Sequence, residues 1–448
     1  MWTLHGLASP SPLAVGLLFL LAAAFALALA LGWRTRLATF GSWLLVSSIQ
    51  YRQPVLSFGA DTMLRLLLFW ALFLPLGARG SVDALRRRGA AAPEAHVSVA
   101  SAALMLQLAL VYLCSVLNRT GPTWWDGRAL HDALHFDHFA SGHAVWLREH
   151  AAVLLGPMTY VAIWFEALGP LLLFSPLANG PLRTLAVLLF LGFHASLASL
   201  FELGLFPAVF AVAWLGMLPS WFWRRLAARR GGAPPAPAAP PRWRPRPARD
   251  GLAALALAFV IASNASTLRG GKLAARLPQN WDLPAQIFYL DQVWGLFSPD
   301  PPVHDGWYVF LGVQRDGREV NPFQPERPPS FAKPPVVSAT MGVRWREFFF
   351  HLQRDAGDPR WLWFGRWLCR AWNEQRGAEQ QLQRTYVYFV EETTRSRGYG
   401  PEGDRTRTLL AHDCEAPASD YGRGPLRASA AATRGPKSSA TRALPSAL

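Results

Sequence analysis

The sequence predicts a mostly α, polytopic membrane protein: a transmembrane helix bundle of about eight spans followed by a small extracytoplasmic α+β C-terminal domain. Three observations carry this reading. Of the 448 residues, 51% are hydrophobic and only 16% charged, and the apolar residues come in long blocks. A block of about 20 apolar residues is what crossing the hydrocarbon core requires. Arginine-rich stretches separate the blocks, and the last part of the chain turns polar with strand and turn signals. The net charge of +15 does not point to nucleic acid, because most arginines flank apolar blocks, where the positive-inside bias puts them. Lys272, Lys333 and Lys437 are the only lysines.

Leu13–Leu31 is an apolar run of nineteen residues, ended by Gly32-Trp33-Arg34-Thr35-Arg36. It reads as a span rather than a signal peptide, because no basic segment precedes it and further spans follow at once. Leu37–Ile49 is a shorter span, and Met63–Leu76 a third, with Arg65 inside it. Val97–Leu117 and Val153–Phe174, the latter containing Glu166, are the fourth and fifth. Pro181–Trp223 is 43 residues long, enough for two spans with a turn near Glu202-Leu203-Gly204. Arg224–Arg249 holds eight arginines and a Pro/Ala run, the composition of an extended linker. Gly251–Ala265 is a last, short span.

Counting basic residues places Arg34/Arg36, Arg79–Arg88 and Arg224–Arg249 in the cytoplasm and everything after the last span outside. This arrangement puts the N-terminus outside with no leading span, so an earlier helix is expected upstream. The expected domains are residues 1–267, transmembrane, with a cytoplasmic Pro/Arg-rich linker at 224–249; 268–414, extracytoplasmic α+β; and 415–448, a disordered tail. In the second domain, Asp316-Gly317 between apolar runs signals a hairpin and Thr385–Glu391 a strand. Val343–Leu352 and Leu362–Trp372 read as amphipathic helices suited to a membrane surface. Cys114 lies in a span, whereas Cys369 and Cys414 could pair if their domain is outside the cytoplasm. Sequence alone leaves that pairing open.

Val111–His150 concentrates the groups able to do chemistry. After the break at Gly121-Pro122 it holds Trp124, Trp125, Asp126 and five histidines: His131, His135, His138, His143 and His150. On a helix from about Arg128, His131, His135 and His138 share one face, a spacing that suits a metal but equally an interfacial helix with histidines among the headgroups. No metal site is assigned. Ionisable residues inside spans are functional candidates by default; here they are Arg65, Glu166, His194 and Glu202. Arg52 and Asp61 share an outer loop able to close beside Arg119, where Asp61–Arg52 and Asp126–Arg119 pairs are the ordinary expectation.

Five motifs in order resemble a known family. They are Ser48-x-x-x-Arg52-x-Pro54 with Gly59-x-Asp61, Phe73-Leu74-Pro75-Leu76-Gly77, Gly121-Pro122-x-Trp124-x-x-Gly127-x-Ala129, Leu290-Asp291-Gln292-x-Trp294-x-x-Phe297-x-Pro299, and Asp305-Gly306-Trp307-Tyr308. Over roughly residues 14–414 the chain resembles HTTM (horizontally transferred transmembrane) proteins, the family shared with vitamin K-dependent gamma-carboxylases. The resemblance implies a bacterial inner-membrane protein. In the carboxylases it resembles, vitamin K hydroquinone is oxidised and glutamate carboxylated, with a lysine before the Trp motif as base. The matching residue here is Arg119, and no lysine precedes Lys272. Arginine stays protonated, so it can clamp an anion but is a poor base.

The expected activity is an enzyme handling a quinol or related lipid. Arg119, His131, His135 and His194 are its candidate catalytic residues, and Trp124, Asp126, Arg52 and Asp61 the candidate cofactor-binding residues. The expected partners are the bilayer and a lipid-soluble quinone. The alternative is a non-catalytic membrane factor that helps envelope or secreted proteins mature, with such a client as its partner.

Overall fold

The computed structural model describes residues 3–8, 11–87, 96–229, 245–268, 281–395, 398–399 and 405–415. The expected tail at 415–448 thus lies outside the described residues beyond 415, as do Arg88 and most of the 224–249 linker. The described flanks of that linker are helical, in Ser220–Arg229 and Pro247–Thr267.

The chain forms two compact units. One comprises the described residues of Met1–Asp305, Pro334–His351 and Glu392–Gly403. The other comprises those of Gly306–Lys333, Leu352–Glu391 and the stretch from Asp404. The first is helical. Among the described residues five helices are long and apolar enough to cross a membrane: Pro12–Leu31, Val99–Asn118, Ala152–Phe174, Asn179–Leu200 and Pro247–Thr267. A sixth span results if Phe206–Leu215 and Ser220–Arg229, bent by 82° across the break between them, count as one. The expectation of about eight therefore exceeds what length and composition support. The Met63–Leu76 candidate becomes a helix of 13 residues, Gly59–Ala71, which at 1.5 Å per residue is too short to cross. Pro75 disfavours helix in the residue before it, and the helix stops short of it. The Leu37–Ile49 candidate lies in Thr35–Arg52, whose buried residues include Ser42, Ser47, Ser48 and Gln50.

The core of this unit joins Trp43, Met63, Trp70, Leu108, Tyr112, Phe190, Phe210, Trp214 and Trp294. Leu290 and Trp294, in a stretch read from sequence as part of the polar half, belong to this core. Gln292 accepts from Trp294 Nε1 (2.7 Å) and from Gln107 Nε2 (2.7 Å), and the Asp291 carboxylate lies 3.2 Å from Arg65. Pro334–His351 also belongs to this unit. Arg344 grips Asp61 (2.5 and 2.8 Å), Ser338 Oγ donates to the Ala140 carbonyl (2.6 Å), and Arg346 donates to the Glu202 and Ser338 carbonyls.

The second unit is a small antiparallel sheet with the amphipathic helix Pro359–Asn373. The expected Asp-Gly hairpin forms: Gly317 sits at φ 84°, and Gly312 pairs with Val320. Thr385–Glu391 lies within the strand Leu382–Arg395, which pairs with Arg405–Asp413. Cys369 and Cys414 form a disulfide across 45 residues of sequence.

One tight approach positions the region described next. A Cβ on Gly121 would lie 1.9 Å from the Asp300 carboxylate, which already accepts from Thr123 N (3.0 Å) and Thr123 Oγ1 (2.5 Å). Gly121→Ala is therefore expected to destabilise the protein by about 1–3 kcal/mol, the range of overpacking in a filled site. A thermal-shift measurement in detergent checks this; an unchanged melting temperature would show that the loop can open at no cost.

Candidate functional site

A cavity of about 520 Å³ lies inside the helical unit. Its wall is mostly aromatic and aliphatic, including Phe139, Phe165, Phe193, Phe201, Phe206, Phe210, Phe297 and Trp294. The polar groups set into it are few: Arg119, Glu166, His194, Tyr112, Ser115, Thr159, Ser196 and Glu347. An apolar pocket of this size with few convergent polar groups is the usual form of a small-molecule site.

Arg119 follows the last turn of Val99–Asn118 and is 5% exposed. Its Nη2 donates to both Glu166 oxygens, at 2.9 and 3.1 Å, and its guanidinium lies 4.1 Å from the Trp124 ring centroid. Trp124 is held in turn by its Nε1 donating to the Phe297 carbonyl at 3.0 Å. Arg119 Nε and Nη1 are buried and have no acceptor among the described residues. A buried donor left without a partner costs about 1–3 kcal/mol. Two on one guanidinium call for an oxygen that the described residues do not supply.

His194 is fixed from the other side. Trp214 Nε1 donates to Tyr112 Oη at 2.7 Å, and Tyr112 Oη lies 2.7 Å from His194 Nε2. An indole N–H can only donate, so the Tyr112 hydroxyl accepts from Trp214 and joins it to His194 Nε2. His194 Nδ1 is buried and has no hydrogen-bond partner among the described residues. Glu347 adds a carboxylate to the wall, with His138 Nε2 3.8 Å away. Burial pushes the His138 imidazole below its ordinary value, against the pull of Glu347.

The structure brings together three of the eight residues expected at the site: Arg119, Trp124 and His194 line the cavity. The other five are not among its lining residues. The helix carrying His131 and His135 is short, Ala129–His135, and ends before His138, so the three imidazoles do not share one helical face. Tertiary partners take over where the helix stops: Arg148 donates to the Leu134 carbonyl (2.9 Å), and Asp137 N donates to the Asp305 carboxylate. The His131 and His135 rings instead lie 4.1 Å apart, tilted by 32°, with His131 Nδ1 3.0 Å from Asp132. Among the described residues, no three His, Cys, Asp or Glu side chains converge as metal ligands.

The two expected ion pairs are also replaced. Asp126 pairs with Arg128 at 2.8 Å, and Asp61 with Arg344 while capping its own helix at Phe58 N. Arg52 ends the helix Thr35–Arg52. Glu166, noted in the sequence as an intramembrane carboxylate, is the partner of Arg119. Nothing in the sequence distinguishes Tyr112 from other apolar-run residues, and Glu347 sits in the half that reads as soluble.

The architecture is that of an integral membrane helix bundle enclosing a polar-pinned apolar cavity. Residues 1–221 match the family model of the HTTM domain, so the chain is an integral membrane protein of the HTTM family. No curated protein and no solved structure matches it.

Two predictions follow from this geometry. Breaking a buried ion pair from one side leaves an uncompensated charge, at a cost of about 3–5 kcal/mol, whereas replacing both partners by apolar residues is close to neutral. Glu166→Ala should therefore lower thermal stability sharply, and Arg119→Met with Glu166→Leu should recover most of it. An equal loss in the single and double variants would contradict the pair.

Burial also pushes the His135 imidazole down to about 4. Between that value and its ordinary 6.5 the unfolded chain binds the extra proton, so stability rises with pH across this window. The contribution is complete above pH 6.5 and is lost as pH falls toward 4, by at most about 3 kcal/mol. Denaturation midpoints measured from pH 7.5 to 4 should fall more steeply in the wild type than in His135→Asn; parallel profiles would refute this.

Proposed function

We propose that this protein binds a lipid-soluble, oxygen-bearing ligand, foremost a quinone or quinol, in the cavity and acts on it as an enzyme. The observation that carries the reading is the pair of acceptor-less Arg119 donors, Nε and Nη1, in an apolar wall large enough for a ring. Arg119 stays protonated, so its role is to hold a carbonyl or developing oxyanion, not to take a proton. His194 Nδ1, also without a partner among the described residues, is the second polar contact for the ligand. The Glu347 carboxylate, backed by His138, is the available proton acceptor. Relationship to the gamma-carboxylases then lies in ligand class, with the lysine base absent and the proton-handling moved to other residues.

The same proposal places the chain in a bacterial inner membrane, with the second unit on the extracytoplasmic side. The Cys369–Cys414 disulfide supports that side, because such bonds persist in oxidising compartments. A second reading, the maturation factor, rests on the helix Pro359–Asn373 of the second unit, which exposes Trp363 (62%) and Trp367 (41%) as a potential client surface.

Titration of the detergent-purified protein with a short-chain quinone tests the first reading through quenching of tryptophan, since Trp124 and Trp294 line the cavity. Quenching should saturate. Arg119→Gln should weaken it about 10- to 100-fold, the loss of a charged hydrogen bond, and His194→Gln by a smaller factor. Linear quenching of the same slope in all three proteins would end the quinone reading. Wild-type cellular function in both variants, with its loss on Trp363→Ser/Trp367→Ser, would favour the maturation factor.

A further inference from the structure

A second concave site lies at the arginine-rich end of the first helices, unconnected with the reading above. It begins where Pro12–Leu31 ends, at Gly32, and is lined by Arg34, Arg36, Arg86 and Arg87, with Leu37, Leu72, Leu74 and Leu76 among its apolar lining. Its volume is about 650 Å³.

The loops that form it are locked together. Gly32 is at φ 66°, and a Cβ there would meet Ser81 Cβ at 2.3 Å; one on Gly77 would meet Thr35 Oγ1 at 2.4 Å. Asp83 accepts from Arg34 N (2.9 Å), Thr35 N (2.7 Å) and Thr35 Oγ1 (2.6 Å). The one carboxylate of the lining is thus occupied with the backbone of its own loops. Arg87 is spent partly on the Asp83 and Gly77 carbonyls. Arg36 and Arg86 are exposed; four guanidinium groups against one carboxylate leave the lining with an excess of three positive charges.

We infer that this pocket binds a phosphate-bearing anion, and that its place at the end of an apolar helix, with leucines beside the arginines, makes that anion the headgroup of an acidic phospholipid. Guanidinium forks match phosphate oxygens in pairs, and basic pockets at the rim of membrane helices recognise acidic headgroups this way. The leucines would carry the first carbons of the acyl chains.

Native mass spectrometry of the full chain in detergent, with phosphatidylglycerol or phosphatidylcholine added, tests this. Wild type should retain phosphatidylglycerol about tenfold better than phosphatidylcholine. Arg36→Gln/Arg86→Gln should lose that preference, whereas Arg225→Gln/Arg229→Gln, outside the pocket, should keep it. Size-exclusion profiles matching wild type establish that both variants are folded; a variant that fails this is replaced by Arg36→Lys/Arg86→Lys, which should weaken the preference in part. Equal retention of the two lipids, or equal losses in both double variants, would overturn the inference. Displacement of phosphatidylglycerol by millimolar inorganic phosphate would assign the site to a soluble anion and overturn the lipid assignment.

Discussion

A guanidinium buried in an apolar wall needs acceptors for its N–H groups, and Arg119 finds a carboxylate for one nitrogen only. Much of the surrounding structure serves to hold that side chain in place. Trp124 lies under it, the Phe297 carbonyl holds Trp124, and Asp300 ties the loop at Thr123 beneath a glycine that has no room for a side chain. Desolvating this ion pair costs several kcal/mol per ion, so the pair gives little net stability. Glu166 fixes Nη2 and leaves Nε and Nη1 buried without an acceptor among the described residues.

The cavity has this polar pole and a second one on the Val343–Leu352 helix, which arrives from much later in the chain. Arg344, held by Asp61, and Arg346, held by backbone carbonyls, seat that helix so that Val343 and Glu347 complete the wall. The site is therefore assembled from helices of the HTTM domain together with a segment outside residues 1–221.

Membrane character, the Asp-Gly hairpin, the Thr385–Glu391 strand and both amphipathic helices were legible in the sequence, because each depends on local periodicity or turn chemistry. Arg119 and Trp124 stood out through the motif that resembles the HTTM family, and His194 because a titratable group inside an apolar block stands out on cost alone; all three line the cavity. Tyr112 was not legible, since a tyrosine in an apolar run gives no sign that a histidine 82 residues on and a tryptophan 102 residues on will meet its hydroxyl. The histidine cluster misled for the converse reason. Its helical spacing was real, but Arg148 and Asp305 supply tertiary hydrogen bonds that end the helix at His135. Helix length and composition support five or six spans among the described residues, because hydropathy blocks do not reveal where Pro75 stops a helix or how many buried serines another contains.

The most direct test of the account is an experimental density map of the protein purified in a mild detergent with its native lipids. The account predicts non-protein density in the cavity, with an oxygen-bearing group within hydrogen-bonding distance of Arg119 Nε or Nη1 and a second polar contact at His194 Nδ1. A cavity closed by side-chain movement, or filled by an acyl chain that leaves both Arg119 donors unmet, would contradict it.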